Sequence, residues 1–195
     1  MILLQTPWTP STAQETLSRV IAQSLATLVE PQGALLLLPH ADGDPSDAVQ
    51  EEKVIDALSA LSKTHGISMC GSVYVRDEDG IVRTIGYLTS PDGDLLLRMP
   101  KIMPDLLEGF TDTASAVSQP AEFPVAMTSE GQVGILCGED VLSPHIVRSL
   151  VTSGAEVILN PSRERTDKHF EIRQKARQAR SYENAAYVAS ASASE

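Results

Sequence analysis

In the stretch GALLLLPHADG, residues 33–43, an apolar run ends at Pro39 and His40 follows it. An imidazole at the carboxyl end of a strand stands where ligands bind and catalytic side chains collect in open α/β sheets. A base there could activate a thiol, and Cys137 is a candidate, as in Cys–His hydrolases. Alternatively, His40 is a polar loop residue with no partner to activate. Lys101 offers a cation for a carboxylate or carbonyl, or a structural lysine bonded to Glu108. Cys70 lies in an alternating apolar stretch and reads as plain core. Glu139, Asp140 and His145 have no recognised metal-ligand spacing, so neither a metal nor another cofactor is expected. The basic run RERTDKHFEIRQKARQAR reads as the solvated face of a helix, with Phe170 and Ile172 inward.

The totals bound what these residues can serve. A chain of 195 residues makes one domain, 1–195, and 42% hydrophobic residues supply a substantial core. Aromatic residues are 4%, so that core is mostly Leu, Val, Ile and Ala. The net charge of -11, from 26 acidic and 15 basic residues, argues against nucleic acid or an anionic membrane as partner. No apolar run reaches the roughly 18 residues of a membrane span. The opening MILLQTPW lacks a basic leader and reads as a strand. Two cysteines are too few for a disulfide framework, and a cytoplasmic location is the default expectation.

The elements that position these residues follow from periodicity. Residues 1–5 read as a strand. Ser11 or Thr12 can start a capping box, and Leu17, Ile21, Leu25 and Leu28 give a helix over 12–29. The run over 34–38 is a doubly buried strand that Pro39 stops. A helix over 46–65 has Val54, Leu58 and Leu61 inward and Gly66 as its C-cap. ISMCGSVYVR, IVRTIGYLT and LLLRM are joined by the turns DEDG and SPDGD, which makes them antiparallel. A loop-rich stretch spans 100–122. FPVAM and VGILCG form a hairpin, and SPHIVRSLVTSGA a helix capped by Ser143 with Pro144 first. EVILN is a strand, NPSRERTD a loop, 167–185 a helix and AYVASAS a last strand. The tail ASASASE is disordered by composition.

This order, together with several phrases, resembles the nitrilase (carbon–nitrogen hydrolase) superfamily over nearly the whole chain. ILLQ with the first helix is similar to the family's opening, and GALLLLP to the segment that ends there in Pro-Glu. SPDGDLLLRMPKI resembles the stretch bearing the family lysine. EFPVAMTSEGQVGILCGEDVLSPHIVRSLVTSGAEVILNPS is similar to its nucleophile elbow with flanking elements, and ARSYENAAYV to its Ala-Arg-x-x-Glu-Asn helix end. The resemblance implies an α/β fold, a four-layer α-β-β-α sandwich. It also implies a Glu–Lys–Cys triad in which the cysteine attacks a nitrile or amide carbon, the glutamate is general base and the lysine stabilises the intermediate.

Carried over position by position, the lysine is Lys101, but His40 stands at the glutamate position. Counting four residues on from Gly134 and six back from Pro144 both put Gly138 at the cysteine position. Cys137 falls one residue early, where a strand turns its side chain to the opposite face. A second family glutamate corresponds to Glu108. The family's chains usually continue well beyond the equivalent of YENAAYV, so the resemblance implies a C-terminally shortened member, or one whose sheet a partner chain completes.

Two functions are therefore expected to compete. One is a pseudoenzyme that binds or assembles without hydrolysis, as a homodimer through the helices near 143–153 and 168–184. Its possible ligand is a small amide-like or carboxylate molecule. The other is an active amidase-type hydrolase acting through Cys137 on a non-peptide C–N bond.

Overall fold

The computed structural model describes residues 1–3, 22, 25–26, 34–41, 45–103, 122–164 and 169–194. Most of the expected helix over 12–29, most of the loop over 100–122, and Glu108 lie outside them.

Ten strands and three α-helices are described: β1 Ile2–Leu3, β2 Leu35–His40, β3 Val49–Gln50, α1 Glu51–His65, β4 Ser68–Arg76, β5 Val82–Thr89, β6 Leu95–Pro100, β7 Ala126–Thr128, β8 Gly131–Ile135, α2 Pro144–Thr152, β9 Val157–Glu164, α3 Phe170–Asn184 and β10 Tyr187–Ser194. They form two sheets, ordered β1-β2-β4-β5-β6, with β3 also on β4, and β10-β9-β8-β7. Strands β1, β2 and β4 are parallel, and β4, β5 and β6 antiparallel. In the second sheet β8, β9 and β10 are parallel, and the β7–β8 hairpin is antiparallel.

The sheets pack face to face. Leu35, Leu37, Cys70, Leu88, Leu97 and Met99 of the first meet Val133, Ile135 and Leu159 of the second. The same core continues to Ile146, Val147 and Leu150 of α2 on the second sheet's outer side. Behind the first sheet, Leu36, Leu38, Met69, Val73 and Ile85 pack on Val54, Leu58 and Leu61 of α1. Each doubly buried strand thus feeds two cores through its two faces. This is the four-layer α-β-β-α sandwich, with helices outside. Gly66 ends α1 with φ 64, the left-handed value expected of that cap.

Six local expectations are corrected. Pro39 does not stop β2; the strand passes through it with a register shift between Leu37 and His40. A proline lacks the N–H for a ladder bond, and a bulge is where that loss is tolerated. The helix expected over 46–65 starts at Glu51, because Val49 and Gln50 pair with Val75 and Arg76 instead. NPSRE is strand rather than loop, and the serine-alanine tail is β10 through Ser194: the two pair in register from Val157 with Tyr187 to Glu164 with Ser194. Small residues suit that place, since Ala189 and Ala191 are buried and Ser190 Oγ donates to the Asn160 carbonyl at 3.3 Å. In α3, Ile172 is 59% exposed whereas Arg173 and Arg177 are buried, the reverse of the amphipathic reading. Their charge is met by Glu164, which points at the helix from β9. Ser143 does precede α2, but its side chain makes no capping hydrogen bond.

Among the described residues no helix is long and apolar enough to cross a membrane.

Candidate functional site

Strands β2, β6, β8 and β9 each carry a site residue at or just past their carboxyl end: His40, Lys101, Gly138 and Arg163. β2 and β6 run in the same direction, and so do β8 and β9. Ends of this kind gather side chains at one rim of an α/β layer.

The bulge in β2 decides where His40 points. Leu37 is opposite Cys70, and His40 is opposite Ser72, so three residues of β2 span two of β4. The extra residue restores the inward face to His40, which simple alternation from Leu37 would have turned toward α1. Cys70 belongs to the core between the sheets, and alternation puts Ser72 and Tyr74 on the same face. His40 Nδ1 lies 2.9 Å from Ser72 Oγ, and its ring meets Tyr74 edge-on at 4.6 Å between centroids.

Lys101 is buried, follows β6, and donates from Nζ to the carbonyl of Met103. Asp140 ties this segment to the elbow. Its fully buried carboxylate accepts hydrogen bonds from the backbone N–H groups of Ile102 and Met103 at 2.8 and 2.7 Å. Asp140 is therefore committed to shaping the backbone. Among the described residues no group of three or more His, Cys, Asp or Glu side chains is placed to hold a metal.

The elbow begins where β8 ends. Gly138 has φ 53, a left-handed conformation that side-chain-bearing residues seldom adopt. Glycine adopts this turn at no steric cost and places no side chain there. Cys137 faces the first sheet: its Sγ lies 3.7 Å from the Met99 carbonyl and is fully buried in the inter-sheet core. Gly134, three residues earlier, faces α2 instead; a Cβ there would lie 2.6 Å from Leu150. Strand alternation thus separates the thiol of Cys137 from the turn at Gly138.

Asn160 braces the elbow from β9. Its Nδ2 donates to the carbonyls of Leu136 and Gly138 at 2.7 and 2.9 Å. Its Oδ1 accepts from Arg177 Nε at 3.2 Å and from Ser190 Oγ at 3.0 Å. Arg177 in turn pairs with Glu164. Because Asn160 and Glu164 face α3, the intervening Arg163 faces the first sheet.

The electrostatics of His40 agree with that direction. Burial first, then Arg163 and Lys101, lower its pKa to about 3. The ring is neutral at ordinary pH and has little appetite for a proton. The His40–Ser72 pair therefore lacks the poise of a base and nucleophile, which needs a pKa near the working pH. Buried Ser72 acts as the hydrogen bond that orients the ring.

Of the residues singled out in the sequence, His40, Lys101 and the Gly138 elbow share the rim, Cys137 lies in the core behind it, and Glu108 falls outside the described residues. Arg163, Ser72, Tyr74 and Asn160 were not anticipated. Reading NPSR as a loop hid Arg163, because only a strand assigns it a face.

A family model described as carbon-nitrogen hydrolase matches residues 28–194. No curated protein matches the chain in sequence. Solved structures match its fold. A variant of the amidase from Nesterenkonia sp. AN1, showing Michael addition of acrylamide at its active-site cysteine, is 22% identical with a TM-score of 0.78. That alignment covers 99% of this chain and 76% of the other. Nit3 of Saccharomyces cerevisiae, a member of branch 10 of the nitrilase superfamily, is 16% identical with a TM-score of 0.81, covering 98% and 74%. A carbon-nitrogen hydrolase from Helicobacter pylori is 16% identical with a TM-score of 0.82, covering 98% and 72%. At these identities the likeness is one of fold.

Proposed function

We propose that this chain, which belongs to the carbon–nitrogen hydrolase family, is a hydrolytically silent member that binds or assembles rather than cleaves. The observation that carries the reading is Gly138 at the left-handed turn of the elbow, with φ 53. Acyl transfer through a covalent intermediate needs a nucleophile there, and glycine has none. The general-base position holds His40, which is neutral and weakly basic. Losing one member of a group that acts as a unit commonly removes most of the rate, and here two of three differ.

Hydrolysis through Cys137 is the competing reading, and its burial against the Met99 carbonyl speaks against it. A mutant of the amidase from Nesterenkonia sp. AN1 shows Michael addition of acrylamide at its active-site cysteine. The corresponding test on this chain is incubation of the native protein with acrylamide, followed by mass spectrometry, beside a turnover assay on simple amides and nitriles. An adduct on Cys137 with turnover would overturn the silent reading; neither is expected.

For assembly, the proposed arrangement is a homodimer through α2 and α3. Ile172 and Tyr182, 59% and 91% exposed on α3, support it as apolar surface available for burial. The alternative is a partner chain along β10, which lies at the edge of its sheet. Sedimentation of the purified chain at micromolar concentration separates the two. A dimer lost on Ile172→Glu favours the helices, and a monomer contradicts the homodimer.

A further inference from the structure

Strand β10 ends the second sheet, and among the described residues only β9 pairs with it. The Tyr187 N–H donates to the Glu156 carbonyl at 2.9 Å, and the Ala191 carbonyl accepts from Ser162 Oγ at 3.2 Å. These residues turn their peptide groups toward β9, and in a parallel pair the alternate residues turn theirs the other way. The N–H and C=O of Val188 and Ser190 therefore point out of the sheet edge, and among the described residues neither backbone makes a hydrogen bond there. Edge strands are commonly guarded by charge, proline or a bulge. YVASASAS has no charged residue and no proline, and it pairs with β9 from Tyr187 to Ser194 without a register shift. Across the sandwich, Leu3 is in register with Leu37, which faces the second sheet, so Leu3 faces that way too. β1 approaches β10, yet Leu3 is 49% exposed. Tyr187, on the same face of β10 as buried Ala189, is 76% exposed. The first sheet thus projects past the second at this edge.

We propose that β10 takes an extended segment of a partner polypeptide as a further strand of its sheet. The segment pairs with the peptide groups of Val188 and Ser190 and is apolar at the alternate positions that cover Leu3. The proposal rests on the reading of this chain as one that assembles, and it names the chemistry of the partner. A single segment suits the edge better than a second copy. Two copies paired antiparallel on β10 across a two-fold axis would bring both projecting β1 strands to one place beneath the seam. The edge is separate from the outer surfaces of α2 and α3, so pairing there leaves a homodimer through the helices in place.

The probe is an acetylated and amidated peptide of alternating valine and threonine, as long as β10. It is titrated into the full chain labelled with nitrogen-15, beside the same peptide N-methylated at every residue, which cannot donate to the edge. Saturable NMR shifts of the Val188 and Ser190 amides are expected with the first peptide, and affinity lower by about tenfold or more with the second. Leu3→Asp sets a charge beneath the added strand and should weaken binding about tenfold. Ser190→Pro removes an outward N–H and should weaken it as well. Circular dichroism establishes that each variant is folded, and where Ser190→Pro fails to fold, Leu3→Asp carries the comparison. Ile172→Glu, on the helix surface, should bind the peptide as the native protein does. No saturable shift at Val188 and Ser190, equal binding of the N-methylated peptide, or unchanged affinity in the folded Leu3 and Ser190 variants would overturn the proposal. A dimer of the peptide-free chain that Leu3→Asp or Ser190→Pro dissolves would also overturn it, because the edge would then belong to a second copy. Sedimentation of the same samples keeps the two readings apart. A monomer that binds the peptide defeats the homodimer and supports the edge, and a dimer that does not bind it defeats the edge alone.

Discussion

Gly86 and Cys137 touch across the two sheets: a Cβ built on Gly86 would lie 2.8 Å from Cys137 Sγ, and 2.7 Å from Ile135 Cγ2. The thiol is clamped between the β5 backbone and the Met99 carbonyl, in a place where the sheets approach too closely for any side chain at residue 86. Overpacking such a contact costs about 1–3 kcal/mol. Gly86→Ala is therefore expected to lower unfolding free energy by that amount. Cys137→Ala removes one of the two clashing atoms, Ile135 Cγ2 being the other, so the double variant should recover part of the loss and be more stable than the sum of the single losses predicts. Additivity in urea denaturation would contradict the contact.

The same clamp makes Cys137 inert. Iodoacetamide should label neither cysteine in the native protein and both after unfolding in denaturant. Burial also pushes the Cys70 thiol far above its ordinary pKa, which removes its reactive thiolate at neutral pH. Rapid native labelling of Cys137 would return it to the list of nucleophiles.

Restoring the elbow nucleophile alone should not restore chemistry. Gly138→Cys puts a side chain at φ 53, which costs about 1 kcal/mol of stability. It leaves His40, neutral and weakly basic, where a carboxylate base is needed. No turnover of simple amides is expected from Gly138→Cys. The informative protein is the double variant Gly138→Cys with His40→Glu; turnover by Gly138→Cys alone would show that Glu is not required at residue 40.

His40 predicts a pH dependence with a defined sign. Its folded pKa is lowered to about 3 from a reference of 6.5. Between these values the unfolded chain binds the proton that the folded chain refuses. Stability from this residue is complete above 6.5 and is lost as pH falls toward 3. By pH 5 the loss from this group reaches about 2 kcal/mol. Unfolding free energies of the native protein and of His40→Asn, measured from pH 7 to pH 4, should diverge in slope, with the variant flatter. Parallel slopes would contradict a buried neutral imidazole.

Asp140 holds the Lys101 segment against the elbow through two backbone hydrogen bonds. Asp140→Ala leaves both N–H groups without their acceptor and should cost about 3 kcal/mol or more. The segment over 101–103 should lose hydrogen-exchange protection ahead of the strands. A variant with native stability and unchanged protection would remove Asp140 from this role.

Much of the architecture was legible in the residues. The run over 34–38 announced a strand buried on both faces, EVILN announced a strand, and the turns DEDG and SPDGD announced the antiparallel half of the first sheet. Gly66 and Pro144 marked helix ends by their backbone limits. Agreement of two counts, from Gly134 and from Pro144, placed Gly138 by resemblance at the family's cysteine position, and its backbone is left-handed, with φ 53.

What the sequence alone did not decide was direction and pairing. A single extra residue in β2 determines whether His40 faces the other sheet or the helices, and nothing local to Pro39 reveals which strand it will pair with. NPSRE and the serine-alanine tail have weak strand propensity, and each is strand because the other lies beside it. Arg173 and Arg177 read as solvated because helical periodicity records hydrophobicity, not the carboxylate of Glu164 waiting on β9. Arg163 acquires a face only once that strand exists. Side-chain direction in a sheet alternates residue by residue, so it is fixed by register, and register is a property of two strands rather than one.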